Sequence, residues 1–237
     1  MSARATIARP VTVQGIGLHL GHDCSLTFRP APAGTGRVFV RTDLPGAPRT
    51  PELASHAEAA ERRTQLGTGP DALHTVEHVL AAVVAAELDD LVIEMDAPEP
   101  PVLDGSSRGF VQALAEAGRR ELGACAPELH LARPVRVEDG VSVYEAHPAD
   151  ELRLEVAIEF PHPLVGRQAI ALTVTPESFA SELAAARTFG FVHEVAALQA
   201  KGLIRGASTA NAVVLGPDGV VENATRWPDE FVRHKAL

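Results

Sequence analysis

Alternating apolar and polar residues predict several strands in the first half of the chain. These strands cover residues 10–20, 25–28, 37–41, 62–66 and 91–95. Because the second and third are joined by a short loop, we expect them to pair as a hairpin. Gly15 and Gly17 around Ile16 are compatible with a bulged hairpin that brings Leu18 and His19 to a site, or with a plain turn.

A helical periodicity replaces this alternation at residue 74. The apolar positions repeat at helical spacing and predict a stripe that faces the core, formed by Val76, Val79, Leu80, Val83 and Val84. We expect this helix to end near residues 87–90. A second helix is predicted over 110–120, with Ser107 as its N-cap.

The pattern breaks around residues 118–127, which predicts two domains, 1–124 and 125–237. The second half starts again with strands, at 135–137, 141–144, 152–160 and 169–174. Two helices should follow, one from Pro176 to about Ala186 and one over 192–201, closed by Gly202. A strand at 211–215 with a turn at 217–219 then precedes a last helix that opens at Trp227.

The stretch His74-Thr75-Val76-Glu77-His78 carries distinctive chemistry. Residues three and four apart lie on one helix face, so its two imidazoles and its carboxylate are expected to converge. Zinc sites use imidazole nitrogen as a ligand and a carboxylate as a base, and the spacing is that of the inverted zinc-protease motif H-x-x-E-H. The alternative is a polar helix face in solvent.

Bulk properties narrow the function classes. The formal net charge is -10 over 237 residues, which argues against binding a nucleic-acid backbone but not against gripping a small phosphorylated substrate. Two distant cysteines, Cys24 and Cys125, fit a reducing compartment. Because no signal-peptide block and no apolar run of about 20 residues occurs, we expect a cytoplasmic monomer without stable membrane insertion.

Ordered sequence blocks point to one family. They are residues 15–19 (GIGLH), 29–32 (RPAP), 41–44 (RTDL), 75–78 (TVEH), 104–106 (DGS), 186–191 (ARTFGF), 198–203 (LQAKGL) and 229–235 (DEFVRHK). Together they closely resemble the UDP-3-O-acyl-N-acetylglucosamine deacetylases, zinc amidases of the committed step of lipid A synthesis in Gram-negative bacteria. The resemblance runs from about Ile7 to Leu237. It implies an α+β fold of two domains with similar topology, each a layered β-α-α-β sandwich, with the active site between them.

The resemblance also implies a metal centre and a catalytic set. His78 and His234 match zinc ligands, and Glu77 matches the general base. Thr188 matches the hydroxyl that stabilises the oxyanion, and Lys235 matches a lysine that contacts the substrate near its phosphates. His74 matches no ligand and becomes a residue at the helix start.

The implied substrate is UDP-3-O-acyl-N-acetylglucosamine, whose fatty acyl chain the family holds in an apolar passage. Positions matching this passage are Phe191, Ser208 and Ala212. Leu18 is expected at the site and Phe189 near the sugar, and Glu194 is a candidate for a sugar or nucleoside contact.

The family pattern continues beyond this sequence. Its third zinc ligand is an Asp four residues after the position of His234, which would be residue 238, and a later histidine acts as general acid. We therefore expect a fragment with an incomplete second domain and impaired activity. The alternatives are a non-catalytic relative that binds a nucleotide sugar, and an inverted zinc protease in which His74 is a ligand.

Overall fold

The computed structural model describes residues 3–126, 128 and 130–237, and its sheets and few helices confirm the α+β class. The helices of the first half are α1 (Glu77–Ala85) and α2 (Arg108–Ala117). Its strands are β1 (Ala3–Ile7), β2 (Val11–Ile16), β3 (Asp23–Pro30), β4 (Arg37–Arg41), β5 (Arg49–Pro51), β6 (Ala57–Glu58), β7 (Gln65–Leu66), β8 (Leu73–His74), β9 (Leu91–Met95) and β10 (Arg119–Cys125). No helix within the described ranges combines the length and the apolar character that crossing a bilayer requires.

The central sheet has the order β2-β3-β9-β4-β5, so the predicted hairpin of β3 and β4 is wrong. β9 lies between them, antiparallel to β3 and parallel to β4. Asp90, just before β9, accepts hydrogen bonds from the Gly36 amide at 2.8 Å and from the Arg4 guanidinium at 2.7 Å. These bonds fix the β3–β4 loop across the end of β9.

The main core lies between this sheet and the two helices. β9 alternates buried and half-buried residues, as expected for a strand with one face on the core. The core joins side chains of the sheet and of both helices, including Phe28, Phe39, Ile93, Val79, Val83 and Phe110. Full burial of such a side chain contributes about 1.5–3 kcal/mol. Of the predicted stripe on α1, Leu80 is only half-buried and Val84 is 43% exposed.

Helix α2 begins earlier and ends earlier than predicted. Gly118, at φ +72°, ends it, and the next residues form β10, which pairs antiparallel with β1. Ser107 occupies the N-cap position but its side chain does not cap the helix. Its hydroxyl instead donates to the carbonyl oxygen of His78 at 2.9 Å, which ties α2 to α1.

The second half is built of hairpins and short helices. Its helices are α3 (Pro176–Ser178), α4 (Val192–Ala200) and α5 (Glu230–Lys235). Its strands are β11 (Val135–Asp139), β12 (Ser142–Ala146), β13 (Arg153–Phe160), β14 (Gly166–Thr173), β15 (Phe189–Phe191), β16 (Val213–Gly216) and β17 (Gly219–Val220). The helix predicted to run from Pro176 is broken, because α3 passes into a π-helical turn at Phe179–Leu183. The last helix begins at Glu230, three residues after Trp227.

Strands that are consecutive in sequence pair with each other in this half. β11 pairs with β12 and β13 with β14, both antiparallel. β15 runs parallel to β16, and β16 returns through the predicted turn to β17. α4 ends where predicted, with Gly202 at φ +76°.

The two halves meet through main-chain contacts on one side of the interface. The Arg205 amide donates to the carbonyl oxygen of His19, and the Gly206 amide donates to that of Leu18, each at 3.0 Å. A Cβ atom at position 206 would lie 2.1 Å from the carbonyl oxygen of Gly17. A side chain at this position would therefore force the two backbones apart.

A second main-chain contact lies at Gly105. The Thr188 amide donates to the Gly105 carbonyl oxygen at 2.7 Å. A Cβ atom at position 105 would lie 2.1 Å from the carbonyl oxygen of Asn211, and Gly105 has φ +85°. Both the close approach and the backbone conformation require glycine here.

Candidate active site

A cavity of about 740 Å³ lies where the two halves meet. Its walls come from α1 and the β2–β3 loop on one side and from β15, α4 and α5 on the other. All eleven residues expected at the site from the sequence line it: Leu18, Glu77, His78, Thr188, Phe189, Phe191, Glu194, Ser208, Ala212, His234 and Lys235.

His74 does not share a helix face with Glu77 and His78, so the predicted convergence of all three is wrong. Helix α1 begins only at Glu77, and His74 belongs to β8, where it pairs with Gln65. Thr75 between them has φ +55°, a left-handed backbone that breaks the helical path. His74 is therefore also not the helix-start residue expected from the resemblance.

The rings of His78 and His234 face each other across the interface of the halves. Their centroids are 5.2 Å apart and their planes are nearly perpendicular, at 89°. Two imidazoles bound through nitrogen at about 2.0–2.1 Å to one tetrahedral zinc would have centroids roughly 5 Å apart. The separation therefore fits two ligands of one metal ion.

The protonation of the two rings also suits metal binding. Burial lowers the pKa of His78 and lowers that of His234 well below its ordinary value, with the neighbouring His78 and Lys235 adding to the effect at His234. Both rings are then neutral at pH 7, the form that binds a metal. Nδ1 of His234 lies 3.3 Å from the carbonyl oxygen of Ala186, so this nitrogen carries the proton and Nε2 keeps its lone pair.

Only His78 and His234 of the described cavity residues face each other as a pair of donors, which is less than a full set of metal ligands. Among residues 3–126, 128 and 130–237, no three His, Cys, Asp or Glu side chains are grouped so that they could hold a metal ion. Catalytic zinc sites usually have three protein ligands. The described residues thus fit part of a zinc site, and His78 and His234 are that part.

Glu77 reaches the cavity from the first turn of α1. Its Oε2 accepts a hydrogen bond from the Thr64 amide at 3.0 Å. This bond fixes the plane of the half-buried carboxylate, and no described residue donates to Oε1. Glu77 is therefore oriented through one oxygen while the other can accept a proton.

Thr188 stands on a rigid support opposite α1. Its amide and carbonyl are both held, by Gly105 and by the Val213 amide at 2.8 Å. The preceding Arg187 forms an ion pair with Glu230 of α5 at 2.9 Å, with side chains only 6% and 0% exposed. Within the described part of the chain, the Thr188 hydroxyl has no hydrogen-bond partner, so it can donate to a ligand.

Lys235 supplies a cation beside the two histidines. Its Nζ lies 5.7 Å from the centroid of the Phe189 ring. No carboxylate of the described residues pairs with it, although it reaches solvent through the cavity. Partial burial, followed by the nearby Arg62, lowers its pKa, while Glu77 opposes this effect. Such a free ammonium is suited to an anionic group of a ligand.

One end of the cavity is apolar. Phe160, Phe189 and Phe191 contact one another there, with centroids 5.6–6.2 Å apart. Aliphatic side chains of α4, of the following loop and of β16 also line the cavity, namely Val195, Leu198, Ile204 and Val214. The predicted passage residues Phe191, Ser208 and Ala212 line it as well.

The sequence analysis missed a segment that crosses the interface. Arg62 forms an ion pair with Glu194 of α4, and Glu61 accepts from Lys201 Nζ at 2.7 Å. Arg62 and Arg63 both line the cavity. The charged run Glu61-Arg62-Arg63 was the available signal, but a charge run on its own is usually a solvated surface.

Most buried polar atoms without a well-formed hydrogen bond belong to residues that line the cavity. Within the described residues there are five such atoms: Nδ1 and Nε2 of His19, Nδ1 of His74, Nε of Arg63 and Oε2 of Glu194. Native proteins contain few of these, and each requires an explanation. Because His19, Arg63 and Glu194 line the cavity, a polar ligand could satisfy them. Glu194 thus remains a candidate for a sugar or nucleoside contact. Only its Oε2 is available, because Oε1 pairs with Arg62.

Two histidines near the cavity, His19 and His74, make stability depend on pH. Burial, the largest cause, lowers the pKa of both His19 and His74. Below pH about 6.5 the unfolded chain therefore takes up protons that the folded chain excludes, and the free energy of unfolding falls as pH falls. In urea titrations of metal-free protein, we expect a lower free energy of unfolding at pH 5.5 than at pH 7.5.

His19→Asn should make this pH dependence shallower. His147→Asn, a change at an exposed histidine, is the matched control and should not alter the slope. An unchanged slope in the His19→Asn variant would contradict the contribution of His19 to this pH dependence.

Comparison with known proteins identifies the family of the chain. The family model described as LpxC, UDP-3-O-acyl N-acetylglycosamine deacetylase, matches residues 4–237. A protein from Bdellovibrio bacteriovorus named UDP-3-O-acyl-N-acetylglucosamine deacetylase is 42% identical over 238 residues, 100% of this chain and 79% of that protein. One of the same name from Brucella melitensis biotype 2 is 42% identical over 234 residues, 98% of this chain and 82% of the relative. The chain belongs to the UDP-3-O-acyl-N-acetylglucosamine deacetylase family.

Proposed function

We propose that this protein hydrolyses the N-acetyl group of UDP-3-O-acyl-N-acetylglucosamine with the help of zinc, the committed step of lipid A synthesis. One observation carries the proposal: Glu77 and His78 of one half share a cavity with Thr188, His234 and Lys235 of the other. Membership of the family supports the substrate and the reaction. The further proposals are two sandwich domains, 1–124 and 125–237, and a cytoplasmic monomer.

His78 and His234 would hold the metal through neutral ring nitrogens. A bound zinc ion would supply Lewis acidity, which acidifies water and polarises a carbonyl group. The chain keeps both imidazoles neutral by burial, and the carbonyl of Ala186 orients one of them. These residues therefore prepare two donors before the metal arrives.

Glu77 is the general base of the proposed reaction. Its free Oε1 accepts a proton from the water that attacks the acetamide carbon, while the Thr64 amide holds Oε2 in place. The same carboxyl group then returns this proton to the sugar nitrogen as the carbon–nitrogen bond breaks, which gives acetate and the free amine. The Thr188 hydroxyl donates to the oxygen that becomes negative as the carbonyl is attacked. One such donor contributes about 3–4 kcal/mol to transition-state stabilisation.

Binding of the rest of the substrate is divided between a cation and an apolar wall. Lys235 is placed to attract the phosphates, because its ammonium group lacks a partner among the described residues. The wall around Phe191 and Ala212 would take the fatty acyl chain, since burying methylene groups contributes about 0.8 kcal/mol each. Phe189, which lies between the two regions, would contact the sugar.

The direct test is release of acetate from UDP-3-O-acyl-N-acetylglucosamine by the purified protein. We expect release to stop after removal of metal by a chelator and to return when zinc is added, because Glu77 alone cannot polarise the carbonyl group. Magnesium at the same concentration is the control and should not restore activity, since histidine nitrogen favours zinc. Metal-independent release, or no release after zinc is restored, would contradict the proposal.

The small number of metal donors among the described residues favours a second candidate function. This function is binding of the nucleotide sugar without turnover. Two histidines are fewer than the three ligands usual for catalytic zinc. We therefore expect the chain of residues 1–237 to bind zinc weakly in equilibrium dialysis. We also expect its activity to be impaired. Tight binding of one zinc per chain would contradict this expectation, and sugar binding without acetate release would favour the second candidate.

A further inference from the structure

A buried carboxylate lies behind the cavity and not in its wall. Glu99, between β9 and α2, is 1% exposed. It accepts hydrogen bonds from the amide of His19 at 2.9 Å, from the amide of Leu20 at 2.7 Å and from the Thr75 hydroxyl at 2.6 Å. A buried carboxylate that accepts from three donors is a fixed junction, because a donor left unpaired is unfavourable.

The donors come from two segments that end in the proposed active site. His19 belongs to the β2–β3 loop and lines the cavity, as does Leu18 beside it. Thr75 directly follows β8, two positions before Glu77 and three before His78. Glu99 thus links the loop at one wall of the cavity with the start of the helix that carries the proposed base and a proposed ligand.

The backbone at Thr75 needs this support. Its φ of +55° is rare for a β-branched residue and is retained only where surrounding contacts enforce it. Two bonds do so here: the hydroxyl donates to Glu99, and the amide donates to the carbonyl oxygen of Thr64 at 2.8 Å. Thr64 also holds Glu77 through its own amide. The unusual backbone and the base therefore share one set of contacts.

The β2–β3 loop also packs closely against Glu99. A Cβ atom at Gly17 would lie 2.5 Å from Oε2 of Glu99, so the carboxylate packs directly against main chain. The adjacent Pro98 carbonyl oxygen accepts from the His74 amide at 2.9 Å. Pro98 therefore holds His74, and Glu99 holds Thr75, just before α1 begins.

We infer that Glu99 is a positioning residue, which fixes the first turn of α1 through Thr75 and so aims Glu77 and His78 into the cavity. This inference rests on the proposed function, because it assumes the roles of those two residues. Glu99 itself touches neither substrate nor metal. Its effect should therefore appear in the rate of the chemical step and in zinc affinity rather than in substrate affinity.

Thr75→Val is the primary test, because it removes the hydroxyl at nearly constant volume. In the purified protein we expect about a 10-fold lower kcat and about 10-fold weaker zinc binding in chelator competition, as for other outer partners of metal ligands. KM should stay within about threefold of wild type, and Thr75→Ser, which restores the hydroxyl, should return both quantities to within about threefold.

Glu99→Gln tests the other end of the bond. Its amide offers one acceptor oxygen to three donors, so we expect a 10- to 100-fold loss in kcat and zinc affinity. Combining it with Thr75→Val should add little, because both changes break the same bond. Glu94→Gln on β9, a part-exposed glutamate paired with Arg29, is the matched control and should leave both unchanged.

The outcomes separate the inference from the proposed function. If wild type neither binds zinc nor releases acetate, the proposed function fails. If wild type does both and the folded Thr75→Val variant matches it, the positioning role is wrong. A variant that only lowers the melting temperature, with kcat and zinc affinity per folded molecule unchanged, also overturns the inference.

Discussion

Replacement of Glu77 by Gln is expected to lower kcat for deacetylation by about 10²–10⁴-fold, the usual contribution of a general base. The amide cannot accept a proton from water, yet it keeps the volume of the side chain and the oxygen that the Thr64 amide holds. Zinc affinity should therefore stay within a few-fold of wild type. Acetate release and chelator competition, measured on the same samples, provide the two quantities.

Glu116→Gln is the matched control for this change. Glu116 is an exposed residue of α2, so the same loss of charge occurs far from the cavity. We expect wild-type kcat for it. Activity retained in Glu77→Gln would remove Glu77 from the mechanism, whereas a parallel loss of zinc would indicate that it is a ligand and not a base.

Replacing His78 or His234 should abolish tight metal binding. Sharing the 10–16 kcal/mol of a four-ligand zinc site equally gives about 3 kcal/mol for each ligand, which is a 10²–10³-fold loss of affinity. We expect this loss for His78→Ala and for His234→Ala, measured by competition with a chromogenic chelator. The two changes lie in different halves of the chain, so a common defect is not explained by local unfolding of one helix.

His74→Ala decides between two interpretations of the same motif. An inverted zinc protease needs His74 as a ligand, and its loss would then equal that of His78. The position of His74 in β8, before the left-handed Thr75, predicts zinc affinity close to wild type. A loss as large as that of His78→Ala would contradict this placement.

The sequence was most informative where periodicity and spacing determine local structure. The strands around Phe28, Val38 and Ile93, the turn before Gly219 and the C-terminal glycine of α4 all lie where predicted. Each depends on neighbouring residues only, because alternation or a positive φ is a local property. The same holds for α1, whose apolar stripe packs on the sheet at Val79 and Val83.

Predictions that depend on distant partners were the ones that failed. The alternation in β3 predicts a strand but cannot name its neighbour, and Asp90 holds the β3–β4 loop so that β9 enters between them. Ser107 has a good capping side chain, yet its hydroxyl bonds a carbonyl 29 residues away. A continuous helix from His74 required ordinary backbone at Thr75, and contacts from Thr64 and Glu99 override it.

The candidate site shows the same division. The resemblance to a family selected eleven residues, and the structure brings all of them to one cavity. Arg62 and Arg63 were missed because a charge run is usually a solvated surface, and the partners of this segment, Glu194 and Lys201, lie more than 130 residues away. Glu99 was missed because one glutamate among prolines carries no sequence signal for burial.

The glycine contacts between the halves determine how the cavity keeps its width. At Gly206 and at Gly105, main chain meets main chain directly, and three amide–carbonyl bonds bridge the halves beside these points. The gap between α1 and α5 is therefore set at these points by backbone rather than by side chains. For the proposed deacetylation, such a frame would hold Glu77 and Thr188 at a constant separation while wall residues vary for different acyl chains, and pre-organisation of this kind lowers the cost of binding.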